Sequence, residues 1–489
     1  MLKAQKLFVR CMLALALTMM FMAGSAWAKD AKYVFFFIGD GMGLPQRAAS
    51  SAYLGKKLAI DAMPAQGITT TFANDRFITG SAASATALAS GVKTNINYIG
   101  VDPSFKPVKT IAEMARDKGM KVGIVSSVSI DHATPAAFYA HVKTRSMYHE
   151  IDHALADSGF DFFAGGGLKD PKGKKSKAPM GDALEKAKAN GYKVVTDKKG
   201  FMALKPGDGK ILAWNAWLQD GKALPYVMDM TDKDITLPEF TGKAIEMLDN
   251  DKGFFLMVEG GKIDWACHAN DAAASIDNTV SFDKAVQKAM AFYEKHPEET
   301  LIVVTGDHEC GGLTLGFAGT KYGSHYDILS HQKVSFQKFT DETLADFKKK
   351  GGDFNAMKPI ITADFGLKFA GDSKTDPMVL ADFQQADIEQ AFKRSMAGEK
   401  VKGGDYLLYG DYDPLSVTLT HVLNQKAGLG WTSYKHTGVP VSTSAIGVGS
   451  QAFNGSYDNK DVATKIMSSM GMPAKPVYAD AADMRVAAN

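Results

Sequence analysis

Several acid and imidazole side chains in this sequence have the types and spacing of divalent-metal ligands. Asp264 and His268 stand four residues apart in Asp264-Trp265-Ala266-Cys267-His268. On a helix that spacing sets a carboxylate and an imidazole on one face, able to grip one ion. Such a pair suits zinc. Asp307 and His308 are adjacent, just beyond the apolar run Leu301 to Thr305, and form a second clasp. Asp40 lies in the turn Gly39-Asp40-Gly41-Met42-Gly43, and His436 in Lys435-His436-Thr437-Gly438. Each has a plain structural reading when taken singly: a solvated helix face, a surface histidine, an aspartate shaping a turn. Together they are much harder to dismiss. The glycines around Asp40 lack the G-x-G-x-x-G spacing of a dinucleotide loop.

The candidate nucleophile is Ser81, at the head of Ser81-Ala82-Ala83-Ser84-Ala85-Thr86-Ala87. The run to Ser90 is compatible with a helix, and Gly91 is a plausible stop. At a helix N-terminus, free amides and the dipole favour a phosphate. Serine before a run of alanines also serves commonly as a cap and nothing more. Arg145 has the planar fork to hold two phosphate oxygens, although isolated arginines usually sit at surfaces.

These residues need elements to position them. Tyr33 to Ile38 is a continuous apolar run, as expected of a strand buried on both faces. Similar strands are expected at Lys121 to Ser126, Phe254 to Val258, Leu301 to Thr305 and Thr443 to Val448, with helices between them at Val108 to Asp117 and Ile276 to Tyr293. The alternation predicts an α/β fold: a single large doubly wound, mostly parallel sheet with helices on both faces. Most of the candidate ligands then lie at or just beyond strand ends, where open α/β sheets form their active sites. Lys169 to Lys199 reads as surface loops around a helix. Residues 322–430 read as an inserted, cap-like segment folded over one end of the sheet, with a helix near Asp382 to Met396.

The 489 residues are 45% hydrophobic with a formal net charge of +2, which argues against a broad basic face for nucleic acid. Lys3, Lys6 and Arg10, the apolar run Met12 to Ala23 and the small residues of Ser25-Ala26-Trp27-Ala28 make a secretory leader over residues 1–28. An uncleaved anchor is the lesser alternative. A periplasmic or secreted chain, residues 29–489, follows. Cys11 leaves with the leader, while Cys267 and Cys310 enter a compartment that permits disulfides.

Taken in order, Ile38-Gly39-Asp40-Gly41-Met42-Gly43, Ser81-Ala82-Ala83-Ser84-Ala85-Thr86-Ala87, His132-Ala133-Thr134-Pro135, Val258-Glu259-Gly260, Asp264 with His268, Asp307-His308 and His436-Thr437-Gly438 resemble the alkaline phosphatase family. The resemblance runs from Tyr33 to about Gly449. It implies hydrolysis of small phosphate monoesters through a phosphoserine at Ser81, with Arg145 binding phosphate. It implies two zinc ions and one magnesium ion. Asp264, His268 and His436 would hold one zinc. Asp40, Asp307 and His308 would hold the other, joined by deprotonated Ser81. Asp40, Thr134 and Glu259 would make the magnesium site, whose hard oxygens suit that ion. Family members are commonly homodimers. A phosphodiesterase of the same superfamily and an exported binding protein with a decayed site are the competing readings; the intact ligand set and Ser81 disfavour both.

Three positions depart from the family pattern. Gly80 stands where an aspartate often precedes the serine, so Arg145 is expected to lack an orienting carboxylate and to bind phosphate less tightly. His132 occupies a position that is acidic in some members and is a further candidate ligand of the third site. Trp265 stands where some members carry lysine. Cys267 and Cys310 either form a disulfide bracing the site or remain two buried thiols.

Overall fold

The structure is a computed structural model that describes residues 30–399 and 401–479; the expected leader lies outside them. Strand β1, Tyr33–Gly39, is buried at all seven positions. Its aromatic rings alternate between two cores. Phe35 and Phe37 pack edge-on against Phe292 and Phe282 of the long helix Ala272–Tyr293. Phe36 faces the opposite way, against Phe138. A period of two with both faces apolar is what a strand covered by helices on each side requires. Burying each such ring stabilises the fold by about 1.5–3 kcal/mol.

The other strands are β2 Ala65–Thr70, β3 Lys121–Ser126, β4 Phe162–Gly165, β5 Tyr192–Val195, β6 Lys210–Trp214, β7 Phe254–Glu259, β8 Thr300–Gly306, β9 Glu309–Cys310, β10 His436–Thr437, β11 Val441–Gly447 and β12 Gly455–Asp458. Ten of them form one sheet in the order β12-β2-β11-β8-β1-β7-β3-β4-β6-β5. All pairs are parallel except those made by β11, which runs antiparallel to both β2 and β8. The expected mostly parallel α/β sheet is therefore the architecture found. The stretch Lys169 to Lys199 holds more than loops and the helix Ala183–Ala189, because it also supplies the outermost strand, β5.

The centre of the sheet positions the site. In the register, Ile38 lies opposite Glu259, Gly39 opposite Gly306, and Ser126 opposite Glu259. The carboxyl ends of β8, β1, β7 and β3 thus come level side by side. Between β9 and β10 the chain is helical, and its apolar residues, including Phe339, Met357, Ile361, Phe365 and Leu419, pack as a separate core against Ala49, Ala272 and Ile276. The segment returns through the ribbon β9–β10, whose register sets His436 opposite Cys310.

Candidate active site

The strand ends deliver the expected ligands to one place. Asp40 follows β1, Glu259 ends β7, and Asp307 and His308 follow β8. The helix Lys262–His268 carries Asp264 and His268 on one face, and β10 brings in His436. Gly41 is indispensable at the first turn: its φ is +70°, and a β-carbon there would lie 2.9 Å from Asp264 Oδ1. Its amide donates to Asp307 Oδ1 at 3.1 Å.

Three groups result, each with its ligand atoms within 4.8 Å of one another. In the first, Asp264 stands 3.4 Å from His268 Nε2 and 3.5 Å from His436 Nε2. His268 Nδ1 donates to the Tyr434 carbonyl at 2.6 Å, and His436 Nδ1 to the Thr79 carbonyl at 2.9 Å. A carbonyl only accepts, so both Nδ1 atoms carry their proton, and in the neutral form that a metal ligand must take both rings aim an Nε2 lone pair inward, 3.2 Å apart. Two facing lone pairs repel unless a cation lies between them. Backbone carbonyls that fix the far ring nitrogen are the usual support of metal-ligating histidines. Cys310 falls in the same group, but its thiol donates to the Asp264 carbonyl at 3.6 Å, and burial pushes its pKa up.

The second group is Asp40, Asp307 and His308. His308 Nε2 lies 3.3 Å from a carboxylate oxygen of each aspartate and 3.4 Å from Ser81 Oγ. The rings of His308 and His436 stack at 3.6 Å, so the first two groups share a wall. The third group joins Asp40 to Glu259 and His132, with the Thr134 hydroxyl beside Glu259.

Charge in this cluster is unbalanced. Burial first, and then the neighbouring carboxylates, raise Asp40 well above the usual range. Burial likewise raises Asp307 to about 7 and Glu259 to about 8. Burial also works upward on Asp264, but the imidazoles of His268 and His436 outweigh it and hold the carboxyl well below the usual range. Both oxygens of Asp40, Glu259 Oε1, Asp264 Oδ1, Asp307 Oδ2 and Thr134 Oγ1 are buried without a hydrogen-bond partner. Buried polar atoms rarely stay unpaired. Their convergence fits bound divalent cations, with nitrogen and carboxylate donors in the first two groups and mostly oxygen in the third.

Ser81 opens the helix Ser81–Ser90, which is buried along its whole length. Its small side chains allow that depth. Ser84 Oγ donates to the Asp307 carbonyl at 2.7 Å and accepts from Asn459 at 2.8 Å, pinning the helix to the end of β8. Glu309 braces the other side. It accepts from Gln46 at 2.8 Å, from the amides of Gly312 and Leu313, and from Thr437 beside His436. Sequence reading missed Ser84, Asn459, Gln46 and Glu309 because nothing local to them reports such distant partners.

Two expectations change. Arg145 is not left without an orienting partner: its Nη2 donates to His132 Nε2 at 2.8 Å. A neutral imidazole has one lone pair, so His132 holds Arg145 or ligates an ion, not both. Gly80 has extended backbone, φ −124°, and a β-carbon there would meet only Ile96 at 3.7 Å, so a side chain fits. With the guanidinium already held, Gly80→Asp is expected to change the inhibition constant of inorganic phosphate by less than about threefold, the effect of one half-exposed charge contact. A tenfold tightening would show that His132 does not orient Arg145.

The thiols of Cys267 and Cys310 are free, so no disulfide braces the site. Cys267 Sγ turns to Ser275 Oγ at 3.3 Å, and Cys310 Sγ to the Asp264 carbonyl. Thiol titration of the denatured chain from Lys29, without reductant, is expected to count both. Titration only after reduction would contradict the free thiols.

A family model described as alkaline phosphatase matches residues 31–472. Alkaline phosphatase 4 of Bacillus subtilis is 33% identical over 453 residues, covering 89% of this chain and 88% of its own. Escherichia coli alkaline phosphatase is 35% identical over 57% of this chain and 70% of its own. Among solved structures, a cold-active alkaline phosphatase from Shewanella superposes with a TM-score of 0.74 at 28% identity, covering 90% of this chain and 99% of that one. Alkaline phosphatase from the Antarctic bacterium TAB5 gives 0.63 at 26%, covering 91% and 99%, and a histidine variant of it is described with Mg bound in its M3 site.

Proposed function

This chain belongs to the alkaline phosphatase family and hydrolyses phosphate monoesters with the help of bound metal, and on that premise we propose that Ser81 is its nucleophile. Asp264, His268 and His436 hold one zinc ion, and Asp40, Asp307 and His308 the other. Asp40, Thr134 and Glu259 hold magnesium, with His132 as a fourth candidate donor when it releases Arg145. The observation that carries this reading is the convergence of partnerless buried carboxylate oxygens on facing imidazole lone pairs beside Ser81.

Arg145 receives the phosphate through two oxygens, and the open amides at the head of the Ser81 helix face the same anion. Ser81 Oγ attacks phosphorus in line, and the alcohol departs. Water then attacks the phosphoserine from the same side the alcohol left, releasing inorganic phosphate and restoring Oγ. Two such displacements retain configuration at phosphorus. When bound, the ions lower the pKa of the Ser81 hydroxyl, stabilise the departing alkoxide and activate the water.

Acid quenching of the enzyme during turnover of a labelled monoester is expected to trap phosphate on the peptide containing Ser81. Label on another residue would overturn the assignment, and faster turnover of a matched diester would favour a phosphodiesterase. The leader composition supports export to the periplasm or beyond, with cleavage near Ala28. No helix among the described residues is long and apolar enough to cross a membrane.

A further inference from the structure

Beside the ligand cluster lies a cavity of about 860 Å³ that the chemistry above does not use. The sheet explains its place. The metal-ligand groups occupy the carboxyl ends of β8, β1, β7 and β3, and the next strands outward are β4 and β6. The segments following β4 and β6, which carry Lys169 to Ala178 and Leu218 to Lys222, wall the cavity. Its third wall is Lys143 to Glu150, the segment from which Arg145 turns inward to His132. Trp265 links the two sites. Its ring packs on His132 at 5.7 Å, and a β-carbon on Gly221 would come within 3.0 Å of it.

The lining has a chemical bias. Lys143, Lys169, Lys175, Lys177 and Lys222 all face this space, and among the described residues none makes an ion pair. Lys169 Nζ instead donates to Tyr148 Oη at 3.2 Å. The two carboxylates of the lining are otherwise engaged. Glu150 accepts from Ser176 Oγ at 3.0 Å, and Asp170 accepts the amides of Lys174 and Lys175 at 2.8 and 3.0 Å. The cavity therefore presents a net positive balance, five lysines against two carboxylates, around an aromatic ring and in a volume ordinary for a small-molecule site.

We propose that this cavity receives the leaving-group end of the substrate, and that preferred substrates are phosphate monoesters bearing a second anionic group. The proposal rests on the hydrolytic reading above. With phosphate held at Arg145, a small leaving group ends near Trp265. A longer one enters the cavity and meets the lysines.

The test compares 6-phosphogluconate with glucitol 6-phosphate, open-chain esters that differ by a carboxylate in place of a hydroxymethyl group at the end remote from the phosphate. In the wild-type holoenzyme at low salt, kcat/KM is expected to favour 6-phosphogluconate by about tenfold, as several exposed charge contacts together allow. The triple variant K175S/K177S/K222S, all exposed positions, is expected to bring the ratio near unity, and so is 0.5 M NaCl in the wild type. A control variant, K348S/K349S/K350S, removes the same charge outside the cavity and is expected to keep the preference. Three results would overturn the proposal: a wild-type ratio at or below unity, a ratio unmoved by K175S/K177S/K222S, or an equal loss in the control. Failure of the wild type to hydrolyse either sugar phosphate or p-nitrophenyl phosphate would instead strike the hydrolytic reading itself.

Discussion

Ser81→Ala is expected to lower kcat/KM for a phosphate monoester by about ten-thousandfold or more, the scale seen when a covalent nucleophile is removed from its catalytic unit. The fold should scarcely notice. The helix cap is the backbone of Gly80, and the Ser81 hydroxyl has one neighbour of note, His308 Nε2 at 3.4 Å. Losing a contact that long costs less than about 1 kcal/mol. Metal content should be unchanged, because Asp40, Asp307 and His308 remain. The variant should also trap no phosphate after acid quench. The measurements are initial rates, elemental analysis and a thermal melt on one preparation. Residual kcat/KM above a tenth of wild type, with full metal content, would remove Ser81 from the nucleophilic role.

Metal removal is the second large effect. A chelator should abolish turnover, and zinc with magnesium should restore it. It should also lower the thermal midpoint, and the gap between loaded and stripped protein should widen as pH rises. Without cations, burial holds Glu259 at about 8, Asp307 at about 7 and Asp40 well above its usual range. A carboxyl whose folded pKa is raised contributes stability that is fully present below its unfolded value, near 4. That contribution is lost as pH climbs through the folded pKa. Stripped protein therefore loses about 1.4 kcal/mol per pH unit for each such group while pH lies between its unfolded value, near 4, and its folded value, about 7 for Asp307 and about 8 for Glu259. Loaded protein escapes this loss, since the ions already keep the carboxylates charged. Lys262, which burial brings down to about 7, titrates in both forms and cancels from the difference. Melting curves at pH 6.5 and 8.5, with and without chelator, read the gap directly. An equal gap at both values, or full activity in protein shown to be metal-free, would refute the assigned ligand chemistry.

The boundary between what was legible early and what was not follows the range of the interactions. The continuous apolar runs at β1, β7 and β8 announced buried parallel strands because burial on both faces removes every polar position. The helix holding Asp264 and His268 followed from a spacing of four, and the Ser81 helix from its alanines and Gly91. Strand β2 was missed. Its alternating burial in Ala-Gln-Gly-Ile-Thr-Thr leaves no apolar run to notice. The register that sets β11 antiparallel between β2 and β8 joins residues far apart in the chain, and no local pattern encodes it.

The same division runs through the site. By residue type and order, the sequence itself supplied the candidate ligands, the candidate nucleophile and the α/β class, because residue chemistry, motif order and helical or strand periodicity are local properties. Tertiary structure alone decided how those groups are held. It brought the Thr79 and Tyr434 carbonyls onto the two imidazoles, gave the thiols of Cys267 and Cys310 separate hydrogen-bond partners, and set His132 rather than a carboxylate against Arg145. A lone pair's direction depends on the partner of the opposite ring nitrogen, and that partner arrives from a distant segment only when the sheet and its loops have closed.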